Sequence, residues 1–192
     1  MILAYVIILL VILALITGRD LNAIGQISYR GGWRLGAIVA GLLLLQAAFV
    51  LYAPGQTTVQ MLLVILSQLA LIFLVWLNRH ISGAKLFALG VILNTTVMVA
   101  NGGWMPITPE TYESMGANHT VEIETRAPGS KGIMLPRHET RFWILSDIIR
   151  VDLVGRRSAM SIGDILLIIG AAQFLFQATP KADTPVGRWS GS

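Results

Sequence analysis

The residues best suited to chemistry lie in the segment 101–164. Three ionisable side chains, Arg141, Asp147 and Asp164, stand beside apolar runs there. An arginine in such a place can hold an anionic head group, and an aspartate with a raised pKa can donate a proton. In the plainer interpretation these residues and Arg150 form ion pairs and helix caps, which gain strength near a low-dielectric boundary. Both interpretations put the candidate site in this segment.

A metal site is a weaker candidate. His119, His138, Glu139 and Asp147 have side chains of the types that bind zinc or a harder divalent cation. They lack a fixed spacing such as HExxH, and the neighbours His138 and Glu139 point in different directions. We therefore expect no metal. The sequence contains no cysteine, which excludes disulfides, thiolate metal ligands and cysteine nucleophiles.

Other functional classes leave no pattern either. The sequence has no serine-nucleophile elbow, no phosphate-binding loop and no pair of intramembrane carboxylates. The net charge of +4 is not arranged as a basic stripe with interleaved aromatic residues, so we expect no nucleic-acid partner. We predict no catalytic residue and no cofactor, and we favour a protein that is not an enzyme.

A glycine turn precedes the charged residues, in the run Asn101-Gly102-Gly103-Trp104-Met105-Pro106. Glycine and asparagine tolerate positive φ, so this run predicts a sharp helix exit, with Trp104 as an aromatic anchor at the membrane–water interface. Alternatively, the bare backbone of Gly102 and Gly103 lines a pocket. Asn94 lies on the same face of the preceding helix as Asn101, where we expect it to bond to another helix.

The elements that position these residues are five apolar stretches. Apolar residues make up 55% of the chain and charged residues 12%, against roughly 25% charged in soluble domains. About 20 apolar residues cross a bilayer as a helix, and lipid leaves no other partner for the backbone. We predict an all-α integral membrane protein with one membrane domain over residues 1–177, with spanning helices at 1–17, 35–53, 59–77, 85–101 and 161–177.

Local signals predict further detail. Thr57 with Gln60 and Ser161 with Asp164 fit the capping box. Small residues on the second helix predict a close helix contact there, namely Gly36, Ala37, Ala40 and Gly41.

The connecting segment, residues 102–160, is polar in its first part. Thr108-Pro109-Glu110 predicts a short helix over 109–115. Residues 121–125 and 132–135 predict a small hairpin, and residues 142–150 an amphipathic helix lying on the membrane surface, with a strand at 149–153 as the alternative.

Charge placement predicts the orientation. Loops with an excess of lysine and arginine favour the cytoplasm. The connections at 18–34 and 78–85 carry five basic residues and the single acid Asp20. We therefore expect the N-terminus and the connecting segment outside the cell membrane and the C-terminus inside, with residues 178–192 as a disordered tail.

Three motifs together resemble a known family. They are Asn101-Gly102-Gly103-Trp104-Met105-Pro106, a TRxxxLxDI element beginning at Thr140-Arg141, and Ser161-Ile162-Gly163-Asp164. This order resembles a family of bacterial multi-pass membrane proteins classed as a domain of unknown function. The resemblance implies that one group of residues assembles at the outer face: Asn101, Gly102, Gly103, Met105, Pro106, Thr140, Arg141, Asp147, Ser161, Gly163 and Asp164.

Three functions compete. The first is a non-catalytic accessory, assembly or scaffold component of a membrane complex, whose partners are the bilayer, other subunits or a second copy. The second is a lipid-handling protein or membrane enzyme with its site at the outer face. The third, a small-solute transporter, is weakened because no inverted repeat or helix broken at mid-membrane is evident. We favour the first because few ionisable groups fall inside the helices.

Overall fold

The apolar stretches form long helices. The computed structural model describes residues 2–53, 55–116, 122–126, 130–153 and 155–181. Its helices are α1 (Ile2–Ile16), α2 (Gly32–Tyr52), α3 (Thr58–Leu77), α4 (Ala84–Ala100), the short α5 (Pro109–Ser114) and α6 (Ile162–Ala178). The prediction of a mostly helical protein is confirmed. Of these helices, α2 and α3 are long and apolar enough to cross a membrane, which suggests membrane association, and α1, α4 and α6 are shorter.

The long helices pack side by side, with α2 on α3, α3 on α4, α4 on α6 and α6 on α1. Both predicted capping boxes are confirmed, at Thr57 for α3 and at Ser161 for α6. Thr108 caps α5 as expected. The predicted tail falls mostly on residues 182–192, which lie outside the described residues.

Glycines bring α4 and α6 together. A Cβ atom at Gly90 would lie 2.5 Å from the Gly163 carbonyl oxygen, and one at Gly170 would lie 2.6 Å from the Phe87 nitrogen. The prediction of a close contact at Gly36 and Gly41 of α2 is wrong, because a Cβ at either position would meet no atom within 4 Å. The small residues of α2 therefore border open space, and the close helix contact is made elsewhere.

The connecting segment adds four short strands to the helical bundle, so the fold is not purely helical. β1 (Met105–Ile107) pairs in parallel with β2 (Gly132–Met134), and β3 (Ile149–Leu153) pairs antiparallel with β4 (Arg156–Met160). The predicted hairpin is confirmed in part. An antiparallel bridge joins Arg126 to Ile133, the Glu124 N–H donates to the Met134 carbonyl at 2.8 Å, and the Met134 N–H donates to the Thr125 carbonyl at 2.9 Å. Residues 122–126 do not form a strand, however, and β2 pairs as a strand with β1. Residues 121 and 127–129 of that hairpin lie outside the described residues.

The predicted amphipathic helix over 142–150 is also wrong. Phe142 has a φ of 55°, a 3-10 turn covers only Trp143–Leu145, and the chain then enters β3, the strand alternative. The Ser146 hydroxyl donates a hydrogen bond of 2.7 Å to the Trp143 carbonyl, and the 3-10 helix ends there after a single turn. Side chains that alternate between solvent and interior then favour the strand, with its period of two.

A hydrophobic core joins the connecting segment to the bundle. Trp104, Met105 and Ile133 of the segment pack with Val97 and Met98 of α4, and with side chains of α2 and α3. The prediction that Trp104 is an anchor at the membrane surface is wrong, because the side chain is 3% exposed. The Arg126 guanidinium lies 5.0 Å from the centre of its ring. The segment is thus a packed part of the fold.

Candidate functional site

Asn94, Ser161 and Asp164 form a closed set of hydrogen bonds between α4 and α6. The Ser161 hydroxyl donates to Asn94 Oδ1 at 2.8 Å, and Asn94 Nδ2 donates to Asp164 Oδ1 at 2.9 Å. The Ser161 backbone N–H donates to Asp164 Oδ2 at 3.1 Å, and the Asp164 N–H donates to the Ser161 hydroxyl oxygen at 3.0 Å. Asn94 therefore bonds to another helix, as predicted. The amide lies over Gly163, where a side chain would collide with Asn94 Oδ1.

Asn101 fastens the connecting segment to the end of α4. Its side-chain amide donates 2.8 Å to the Val97 carbonyl and 2.9 Å to the Arg141 carbonyl, and its Oδ1 accepts from the Arg141 N–H at 2.9 Å. The predicted sharp exit is confirmed, since Gly102 and Gly103 have φ of 75° and 90°. Asn101 meets the backbone of Arg141, whose side chain is exposed.

We expect Asn101→Ala to loosen the connecting segment and leave the helices assembled. The substitution leaves the Arg141 N–H without its partner, and one unsatisfied buried group costs about 1–3 kcal/mol. Hydrogen exchange followed by mass spectrometry should show faster exchange around residues 139–147 and unchanged exchange in α4. Asn22→Ala, at an exposed asparagine, is the control. Equal exchange in both variants would contradict a fastening role.

Asp147 is partly buried, and one of its carboxylate oxygens has no hydrogen-bond partner among the described residues. Its backbone N–H donates 3.3 Å to the Pro106 carbonyl, but its Oδ1 is buried and has no hydrogen bond. Burial raises the pKa of Asp147 well above its usual value, and the nearby Asp164 carboxylate raises it further. The predicted ion pairs of Asp147 and Asp164 with Arg141 or Arg150 are wrong. The ion pairs within the described residues are His138–Glu139 and Asp152–Arg157.

Lys131 shares this region, and the sequence reasoning missed it. Its backbone carbonyl accepts from the Met105 N–H at 3.0 Å, which places it next to β1. Burial lowers the pKa of the Lys131 ammonium from 10.5 to about 8, and the Asp164 carboxylate opposes the shift. One signal was present in the sequence. Lys131 directly precedes the apolar strand β2, and such a lysine is carried into the interior with its strand.

The remaining residues of the predicted site divide into two kinds. Met105 and Pro106 are buried in β1, and the Thr140 hydroxyl donates 2.9 Å to the Pro136 carbonyl, so all three serve the packing of the segment. Gly102 is exposed and a Cβ atom there would meet no atom within 4 Å, so the suggested pocket at the glycine turn has no wall on that side. His119 lies outside the described residues.

The arrangement offers one chemical possibility. Asp147 is an acid that is hard to ionise and Lys131 is an amine that is easy to neutralise, and each is partly buried near Asp164. Groups with pKa values moved toward neutrality are suited to binding a polar ligand or carrying a proton. The hydrogen bonds of Asn94, Asn101 and Ser161 are already made within the fold.

Comparisons with known proteins give a family and no activity. The profile of the family of unknown function DUF5317 matches residues 34–176. An uncharacterised protein of Thermotoga maritima is 34% identical over 124 residues, which cover 61% of this chain and 63% of the relative. The aligned part of the chain therefore spans less than two thirds of that relative. No solved structure matches significantly.

Proposed function

We propose a function for this chain as a member of DUF5317, the family of unknown function to which it belongs. We infer a small polytopic protein of the cell membrane with five spanning helices, α1, α2, α3, α4 and α6. Its N-terminus and connecting segment lie outside and its C-terminus inside. It acts as a non-catalytic accessory, assembly or scaffold component of a membrane complex.

The surface of α2 and α3 supports a membrane location. Only 17% of the most apolar stretch of either helix is buried, whereas a core helix of a soluble protein is mostly buried. Large apolar side chains such as Leu44 and Phe73 face outward. The polar groups between α2 and α3 are paired instead, with the Ser67 hydroxyl donating to Gln46. Apolar surface outside and paired polar groups inside is the pattern that lipid requires.

The observation that carries the non-catalytic assignment is how the predicted site residues are used. The side chains of Asn94, Ser161 and Asp164 bond to one another between α4 and α6. The Asn101 side chain bonds to the backbone of Val97 and Arg141 and so holds the connecting segment on the bundle. A rigid segment held on a lipid-facing bundle is a surface for docking another subunit. The shorter α1, α4 and α6 cross by local thinning of the bilayer.

The orientation predicts a labelling pattern. The chain contains no cysteine, so single cysteines report without background. Glu139 and His80 are exposed at opposite ends of the bundle. In intact cells, Glu139→Cys should react with a membrane-impermeant maleimide, and His80→Cys should react only after permeabilisation. The reverse pattern would contradict the orientation, and protection of both sites in intact cells would contradict the membrane-spanning topology.

The accessory role is tested by gentle detergent extraction from the native host and native mass spectrometry. We expect a second protein in fixed stoichiometry. Release of that protein by Asn101→Ala, but not by Asn22→Ala, would identify the connecting segment as its docking surface. A chain recovered alone, with or without bound lipid, would contradict the accessory role.

A second candidate function is favoured by Asp147. Its buried Oδ1 without a partner fits a site at the outer face for a ligand that carries a hydrogen-bond donor, such as an ammonium or hydroxyl head group. A small molecule that co-purifies with the wild type and is lost from Asp147→Asn would support this function. Retention of that molecule by Asp147→Asn would contradict it.

A further inference from the structure

A cavity of about 490 Å³ opens at the end of the bundle opposite the connecting segment. Its walls come from α2, α3, α4 and α6 and are almost entirely apolar. Trp33, Leu74, Phe87 and Phe174 supply the large side chains. The volume falls within the range of about 300–1,000 Å³ that is usual for sites of single small molecules.

The cavity results from unequal helix spacing. Gly83 and Gly170 draw α4 and α6 together, since a Cβ at Gly170 would lie 2.8 Å from the Gly83 carbonyl oxygen. On the other side, Gly36 of α2 lines the cavity, and a Cβ there would meet no atom within 4 Å. The lack of a side chain at Gly83 and Gly170 allows α4 and α6 to lie close together. The lack of a side chain at Gly36 leaves open space beside α2. The space therefore follows from the spacing of the helix backbones.

Arg30 brings a cationic side chain to the cavity. The Arg30 N–H donates 2.8 Å to Asn78 Oδ1, and Asn78 Nδ2 donates 3.1 Å to the Arg30 carbonyl. This clasp fixes the backbone of Arg30, which lines the cavity. Within the described residues, the exposed Arg30 guanidinium has no partner. The neighbouring connections 18–34 and 78–85 add Arg19, Arg34, Arg79 and Lys85 against the single acid Asp20.

We propose that this cavity binds one anionic phospholipid of the inner leaflet. An acyl chain fills the apolar space beside Trp33 and Phe174, and the phosphate pairs with Arg30. The inference rests on the proposed membrane location, since the occupant enters from the bilayer. A helix from a second copy does not fit, because a cylinder 10 Å wide with this volume is only about 6 Å long, roughly one helical turn.

The test is native mass spectrometry of the purified full chain, exchanged into micelles that contain equal amounts of phosphatidylglycerol and phosphatidylcholine. We expect one phosphatidylglycerol to remain bound to the wild type. Gly36→Leu fills the cavity and should weaken retention at least tenfold. Gly41→Leu adds the same side chain to α2, where nothing lies within 4 Å, and should retain the lipid. Equal retention by the two variants overturns the proposal.

The head-group contact has its own pair of variants. Arg30→Gln, at an exposed position that does not endanger folding, should abolish the preference for phosphatidylglycerol over phosphatidylcholine. Arg34→Gln, which removes the same charge from the same end but does not line the cavity, should keep it. Equal binding of the two phospholipids by the wild type overturns the proposal, as does a preference that survives Arg30→Gln.

Carbonate extraction distinguishes a failure of the lipid site from a failure of the proposed membrane location. A chain that stays in the membrane pellet after carbonate extraction and yet retains no lipid overturns the lipid site alone. A chain released into the supernatant overturns the membrane location and the lipid site together.

Discussion

Gly163→Ala is expected to destabilise the protein by about 1–3 kcal/mol, the range for overpacking a tight contact. The new methyl group would collide with Asn94 Oδ1 and would lie 2.8 Å from the Gly90 carbonyl oxygen. The Gly90 backbone cannot move away from the new methyl group without separating α4 from α6. Movement of the Asn94 amide would break its bonds to Ser161 and Asp164. A single methyl group therefore disturbs both the packing and the polar contact between the helices.

The control reverses the sign of the effect. Gly41→Ala adds the same methyl group on α2, where it meets nothing within 4 Å. Alanine is favoured over glycine in a helix interior by about 1 kcal/mol, so this variant should unfold at the same or a slightly higher temperature. Thermal unfolding in detergent, followed by the loss of monodisperse protein, compares the two. If both variants shift the midpoint equally, the close contact at Gly163 is not a determinant of stability.

The contrast between these glycines shows where the sequence informs and where it does not. Gly36 and Gly41 lie near other small residues on one helix, the local pattern that usually marks a close contact. Gly90 and Gly163 are separated by the whole connecting segment, and their match depends on the register of two antiparallel helices. Long apolar runs and capping boxes are local and were predicted correctly. A register between distant helices is not local.

In the candidate site, too, the features that depend on local sequence were predictable and those that depend on distant contacts were not. Asn94 and Asn101 were identified because a polar side chain in an apolar helix must find a partner, which is a local argument. The partners of Asn101 are backbone groups of Arg141, and no side-chain pattern encodes them. The predicted pairing of Asp147 with Arg150 depends on an amphipathic helix over 142–150, but the chain forms β3 there and Arg150 is exposed. Lys131 was missed because its burial follows from the pairing of β2 with β1.

The stability of the wild type is expected to pass through a minimum as pH rises. The folded-state pKa of Asp147 is raised above 3.8, so the native state binds more protons than the unfolded state, and stability falls as pH rises from about 4 through that folded pKa. Lys131 acts in the opposite sense at higher pH. Its folded pKa of about 8 is below 10.5, so stability rises between these two values. Near neutral pH, both shifts destabilise the fold.

The lowered pKa of Lys131 alone has a large expected effect on the free energy of unfolding. A pKa lowered from 10.5 to about 8 corresponds to about 3 kcal/mol, and the part of the side chain that stays exposed reduces the net value. Lys131→Met removes the buried cation and keeps the length of the side chain. We therefore expect Lys131→Met to unfold several degrees above the wild type at pH 7, at about 2–4 °C per kcal/mol. The advantage should shrink as pH rises through 8 to 10.5.

Asp147→Asn should remove the fall in stability that the wild type shows as pH rises from about 4. Unfolding midpoints between pH 4 and pH 10 give a difference from the wild type that grows as Asp147 ionises. Asp152→Asn is the matched control, since Asp152 is an exposed aspartate in the same segment whose side chain lies 3.8 Å from Arg157. A profile of Asp147→Asn that runs parallel to the wild type would mean that the carboxyl is solvated and unstrained. A stabilised Asp147→Asn would instead mean that the protein keeps an acid that weakens its fold, and a residue retained against stability is the kind that a ligand site holds.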